Sequence, residues 1–150
     1  MDPWAEQHGH RARGQAGFRR GRSCTDNIFI LRHTAEKYTN NGGKLYCCFI
    51  DFRKAYDLII RTRLWARLKA LGMHGRMLSA VQSMYAQVEI CARVRGELSE
   101  SFASNVGVKQ GDPLSPLLFG LFIDAIDTWL VSQVDETHGV YIGPELILHE

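Results

Sequence analysis

This chain is poor in the residue patterns that organise a metal or disulfide framework. Its four cysteines, Cys24, Cys47, Cys48 and Cys91, show no Cys-x-x-Cys spacing, and its six histidines are scattered without a paired ligand interval. Neither pattern builds a structural zinc site, so the cysteines read as reduced, small apolar residues of an intracellular protein. The first fourteen residues are polar and lack the apolar core of a secretory signal. No run reaches the length of a membrane span; 114–126 is rich in apolar residues but reads as a buried helix. Internal repeats, low-complexity tracts and linkers are missing too, which leaves one α+β unit as the simplest count.

Charge of one sign is the next scarcity. Residues 1–96 hold 17 basic and 7 acidic side chains, whereas 97–150 hold 1 and 9, for a net charge of only +2. From Leu58 to Val88 there are five basic residues (Arg61, Arg63, Arg67, Lys69, Arg76) and no acid. Such a one-sided surplus suits a protein that holds a polyanion along its basic part. A solvated charged surface accounts for it equally well.

What is present is enough for one ordinary core: 150 residues, 45% apolar and 23% charged. Ser23, Thr25 and Asp26 offer caps before Ile28, Leu31, Ala35 and Tyr38, whose helical spacing stops at Asn40-Asn41-Gly42-Gly43. Lys44 to Asp51 is apolar at nearly every position and predicts a strand buried on both faces in the middle of a sheet. Two helices follow, around 64–71 and 77–85, and are expected to pack on the back of that sheet. Val88 to Val94 alternates as a strand, Arg95-Gly96 turns, and a second strand is expected near 101–104. Ser115 and Pro116 then start a long helix to about Val131, and 139–148 reads as the start of another hairpin.

Asp51 closes the apolar run of 45–50, and a carboxylate at the end of a buried strand is costly unless a positive partner meets it. A divalent cation is the usual partner, because magnesium prefers carboxylate oxygens together with substrate phosphates. On this stretch alone a second role stands level: Asp51 caps the turn that begins at Phe52.

The run Phe49-Ile50-Asp51-Phe52-Arg53-Lys54-Ala55-Tyr56-Asp57 and, later, Gly107-Val108-Lys109-Gln110-Gly111-Asp112-Pro113-Leu114-Ser115-Pro116-Leu117-Leu118-Phe119 resemble the reverse transcriptase family, in particular the kind carried by non-LTR (LINE-like) retrotransposons. Gln15-Ala16-Gly17-Phe18-Arg19, with Gly21-Arg22-Ser23 and Asp26, is similar to the fingers motif that precedes them. The resemblance implies an α+β fold, a partial right-hand polymerase with fingers and an antiparallel palm sheet packed on helices. Residues 1–14 read by composition as a polar, flexible segment, and the resemblance implies a partial reverse transcriptase domain at 15–150.

Carried over residue by residue, the resemblance makes Asp51 a catalytic, metal-binding carboxylate, with the backbone carbonyl of Phe52 facing the same Mg²⁺, for which Mn²⁺ is a substitute. Tyr56 takes the aromatic position beneath the incoming sugar, where its bulk selects deoxynucleotides; a core aromatic is the competing reading. Gln110 and Gly111 lie against the nascent base pair, and Gly111 lets backbone approach a ligand closely. Arg19, Arg20 and Arg22 meet template or triphosphate, as does Lys109, although a basic flexible segment and a solvated lysine are the plain alternatives. Asp57 is expected to cap or to pair with Arg61 or Arg63, Asp112 to serve the turn, and Asp124 and Asp127 to share a solvated helix face.

The implied partners are an RNA template, a DNA primer and deoxynucleoside triphosphates, with no membrane and no specific protein partner. Priming at a nicked chromosomal target, the family's habit, places the protein in the nucleus. The family's second acidic pair, a Tyr/Phe-x-Asp-Asp turn, has no counterpart here; 146–150 resembles its approach, and no thumb is found. The 150-residue chain is therefore expected not to extend a primer by itself. The alternative is a non-catalytic nucleic-acid-binding remnant of a retrotransposon.

Overall fold

The computed structural model describes residues 1–133 and the strand segments 140–142 and 145–147. The chain divides into two compact units, Met1–Phe52 with Ile123–Glu150, and Arg53–Phe122. Helices and short antiparallel ladders make up both, so the α+β expectation holds at that level.

In the first unit, helix α1 covers Asp2–Gln7 with Pro3 in its first turn and Ala5 fully buried. It lies inside the 1–14 segment expected to be flexible. Helix α2, Cys24–Asn40, begins where its caps predict: the Ser23 amide donates to the Asp26 carboxylate at 2.8 Å. It stops at Gly42, whose φ of +72° no ordinary side chain favours, while the Gly43 amide returns to the Tyr38 carbonyl at 2.9 Å. Thr34 is the buried residue of α2; Ile28 and Phe29 are exposed.

The strand expected over 44–51 does not form. Among the described residues nothing ladders with it, and Tyr46, Phe49 and Ile50 are 84%, 81% and 71% exposed. Strand propensity alone does not make a strand, because the backbone groups need a partner's N–H and C=O to be satisfied. Strands β5 (Val140–Ile142) and β6 (Glu145–Ile147) pair antiparallel with each other, Tyr141 opposite Leu146, as the hairpin reading expected.

In the second unit, α3 (Arg61–Ala70) and α4 (Gly75–Ser83) pack together. Helix α3 ends in a Schellman arrangement, with the Met73 amide on the Leu68 carbonyl and the Gly72 amide on Lys69, both at 2.9 Å, and Gly72 at φ +86°. Four short strands follow: β1 (Glu89–Ile90) pairs with β4 (Phe102–Ala103), and β2 (Arg93–Val94) with β3 (Glu97–Leu98). Arg95 (φ +52°) and Gly96 (φ +92°) form the primed two-residue turn that suits a twisted hairpin. Two residues of one arm (91–92) oppose three of the other (99–101), a bulge that Ser99 stabilises by accepting from the Ala92 amide at 2.9 Å.

All eight positions of these strands are exposed, so they do not form the sheet on whose back the helices were expected to pack. The core is helical instead. Leu64, Leu68, Met73, Leu78 and Val81 are buried, as are Leu117, Leu118 and Leu121 of helix α5, Ser115–Gln133. The four cysteines are free and exposed rather than packed as small apolar residues.

Candidate functional site

Two segments of the second unit, 54–59 and 104–110, are hydrogen-bonded to each other. The turn at 54–58 places Lys54 at φ +52°, unusual for a residue with a side chain, and its carbonyl accepts from the Asp57 and Leu58 amides at 3.0 and 3.1 Å. The Gly107 amide donates to the Ile59 carbonyl at 2.8 Å and the Val108 amide to the Tyr56 carbonyl at 2.9 Å. Gly107 has φ +78°, and a Cβ there would sit 2.8 Å from the Asp57 carbonyl oxygen and 2.9 Å from that of Tyr56. Only glycine permits this approach.

Side chains reinforce the junction. Gln110 Nε2 donates to Asp57 Oδ1 at 2.7 Å, so Asp57 is held by the glutamine rather than by Arg61 or Arg63 as expected. Tyr56 is half-buried and stacked on Phe119, ring centroids 5.2 Å apart at 18°, and burial raises its phenol pKa. Gly111 has φ +84° with open space where a Cβ would stand, so its backbone angle, not crowding, calls for glycine. The Asp112 carboxylate accepts from the Leu114 amide at 2.8 Å, turn chemistry that leads into α5.

Arg61, one of the five basic residues of the acid-free stretch 58–88, is not a solvated cation but 9% exposed. Its Nε donates to the Gly107 carbonyl at 2.8 Å, Nη1 to Ser104 at 2.7 Å and to Tyr85 at 3.4 Å, and Nη2 to Val106 at 3.0 Å. The guanidinium also lies 5.2 Å from the Tyr85 ring centroid. Desolvation pulls its pKa down, opposed by Tyr85, and the carbonyl cage takes the place of an acid. Lys109 Nζ lies 5.5 Å from the same ring, whose hydroxyl is 3.2 Å from Ser115 Oγ. No sequence signal marked this role: with Asp57 four residues before Arg61, the residue types pointed to an ion pair rather than to carbonyls.

The first unit holds the remaining candidates. Asp51 and Phe52 are exposed, and Asp51 has no ion-pair partner among the described residues. Arg19 is engaged internally: its fork meets Glu6 at 2.9 and 2.7 Å, and Nη1 donates to the Ala12 and Gln15 carbonyls at 2.7 and 3.2 Å. Arg20 and Arg22 are exposed. Asp124, expected on a solvated face with Asp127, is instead buried: it accepts from the Ala12 amide at 3.1 Å and lies 3.5 Å from Arg11 Nε. Burial raises its pKa, opposed by the Ala12 hydrogen bond and by Arg11. Residues 148–150, read as nearing a second acidic turn, lie outside the described residues.

The two linked segments belong to the two longest motifs of the sequence, and comparison with known proteins agrees with them. The family model for reverse transcriptase (RNA-dependent DNA polymerase) matches residues 6–147. The chain belongs to the reverse transcriptase family. It is 32% identical over 124 residues to the Retrovirus-related Pol polyprotein from type-2 retrotransposable element R2DM of Drosophila melanogaster, covering 80% of this chain and 11% of that protein. It is 30% identical over 104 residues to the Transposon TX1 uncharacterized 149 kDa protein of Xenopus laevis, covering 69% of this chain and 8% of that one. A Probable RNA-directed DNA polymerase from transposon BS, also of Drosophila melanogaster, is 30% identical over 111 residues, 72% of this chain and 12% of that protein. The chain thus spans only about a tenth of the length of these relatives.

For a member of the reverse transcriptase family the question of metal is direct. Among the described residues no three His, Cys, Asp or Glu side chains converge. The oxygens of Asp51 and Phe52 are the hard donors magnesium takes, but two of them fill only part of its octahedron, with substrate phosphates and water left to supply the rest. No helix among the described residues is long and apolar enough to cross a membrane.

Proposed function

We propose that this reverse transcriptase chain is the fingers and palm part of an RNA-directed DNA polymerase of a non-LTR retrotransposon, with 15–150 as the partial polymerase domain. Its substrates are an RNA template, a DNA primer and deoxynucleoside triphosphates, and its place of action is the nucleus. The observation that carries this reading is the bonding of Tyr56 to Val108 and of Asp57 to Gln110, 52 and 53 positions on, since a template-directed site needs both motifs held together.

In this proposal the Asp51 carboxylate and the Phe52 carbonyl hold Mg²⁺ or Mn²⁺. When bound, the metal neutralises charge on the triphosphate. Tyr56, braced by Phe119, presents its ring to the sugar and excludes a 2′-hydroxyl. Gln110 and Gly111 face the nascent base pair. Arg20, Arg22 and Lys109 take phosphate contacts, and Arg19, held by Glu6, fixes the segment that carries the first two.

The sequence contains no Asp-Asp pair, so the 150-residue chain by itself makes no primer-extension product. The test is an assay with Mg²⁺, deoxynucleotides, an RNA template and an annealed DNA primer. Robust product abolished by Asp51→Asn would overturn the inactivity. A second reading, a nucleic-acid-binding remnant without catalysis, is favoured by the exposed Arg20 and Arg22. It predicts binding to primer–template that weakens steeply with salt, and no binding at low salt overturns it.

A further inference from the structure

A buried arginine with no acid partner among the described residues has to be doing something with its five N–H donors, and in Arg61 four contacts go to the main-chain carbonyls of Tyr85, Ser104, Val106 and Gly107. Three of these carbonyls, Ser104, Val106 and Gly107, lie in the four residues directly before Val108-Lys109-Gln110-Gly111. The amides on the other side of the same short segment, Gly107 and Val108, are those that bond Ile59 and Tyr56. The segment is thereby gripped from both sides, with Arg61 on its carbonyl side and the 56–59 backbone on its amide side. Tyr85 extends the grip, since its ring faces both the Arg61 guanidinium and the Lys109 ammonium.

The geometry points to Arg61 as the positioning residue of the Lys109-Gln110-Gly111 loop: its guanidinium fork fixes the Ser104, Val106 and Gly107 carbonyls and so aims the loop that the proposed polymerase reading gives to the nascent base pair. This rests on that reading for the loop's purpose and not for its order. A lysine cannot replace it, because one ammonium on a flexible stem does not span three carbonyls set by a planar fork. Free guanidinium can, because truncation leaves a cavity of its own shape lined by the same oxygens.

Amide hydrogen exchange on the 150-residue chain tests this without any substrate. Arg61→Ala is expected to speed exchange at Gly107 and Val108 by about tenfold or more, while the Leu118 amide inside α5 keeps its protection. Dilute guanidinium chloride is expected to restore the two loop amides, sodium chloride at equal ionic strength is not, and Arg61→Lys is expected to behave like Arg61→Ala. Loop amides unchanged in Arg61→Ala, or fully protected in Arg61→Lys, overturn the inference. So does exchange that rises across the whole unit in both variants, which would make Arg61 a core residue only. Photocrosslinking of a radiolabelled primer–template to 109–111 is the separate arm: a protected loop that never crosslinks rejects the polymerase reading and leaves the positioning role standing.

Discussion

Gln110 donates from Nε2 to the Asp57 carboxylate across 2.7 Å, joining two exposed side chains 53 positions apart in the sequence. The bond is charge-assisted but open to water, so its net worth is modest. In a double-mutant cycle of Asp57→Ala and Gln110→Ala read by urea unfolding, the coupling is expected at about 0.5–1.5 kcal/mol. Strictly additive effects would show that the two motifs are joined by backbone alone.

The glycines of the loop are expected to differ. Gly107→Ala places a Cβ against two backbone oxygens and strains a left-handed φ, costing about 2–4 kcal/mol, whereas Gly111→Ala meets open space and costs about 1–2 kcal/mol for its φ alone. Thermal or urea unfolding of the two variants checks the order. Equal costs would mean that the approach of 107 to 56–57 relaxes freely.

Arg19, Arg20 and Arg22 are expected to separate. Arg20→Gln and Arg22→Gln should each lower the salt dependence of primer–template binding by about one unit of slope while leaving stability near that of the parent. Arg19→Gln should instead lower stability, because it releases Glu6 and the Ala12 and Gln15 carbonyls. Binding isotherms at several salt concentrations, with melting curves alongside, distinguish the two outcomes.

Two carboxylates are expected to titrate in opposite directions. Burial raises Asp124, so its protonated form favours the fold: that contribution is full below the unfolded pKa and is lost as pH rises through the folded one. The Arg19 hydrogen bond lowers Glu6, so its contribution is present above the unfolded pKa and is lost as pH falls through the folded one. Carboxyl carbon chemical shifts against pH measure both, and Arg11→Met is expected to push Asp124 higher still. An Asp124 that titrates no higher than an exposed aspartate contradicts its burial.

Local signals were legible wherever the chemistry was local. The Ser23–Asp26 cap, the Asn-Gly-Gly exit of α2, the Arg95-Gly96 turn and the Ser115-Pro116 start of α5 all depend on neighbours a few residues away, and each lies where its sequence predicts. The strand over 44–51 was misread because an apolar run states a preference for a ladder without naming the partner that would complete it. Arg61 and Asp124 were misread for a related reason. Charged side chains are assumed to be solvated, and what buries them is contributed by residues far along the chain: carbonyls 43 to 46 positions from Arg61, and an amide 112 positions from Asp124.

The sequence by itself determined that this chain belongs to the reverse transcriptase family, because family motifs are strings of residue types in order and need no coordinates to be read. Only the tertiary structure decided how the second motif is held: by an arginine whose donors go to carbonyls, by a glycine that admits two opposing backbone oxygens, and by a glutamine that reaches an aspartate. Main-chain oxygens are identical at every position, so which of them converge on a guanidinium is set by the path of the folded backbone and leaves no mark in the residue types.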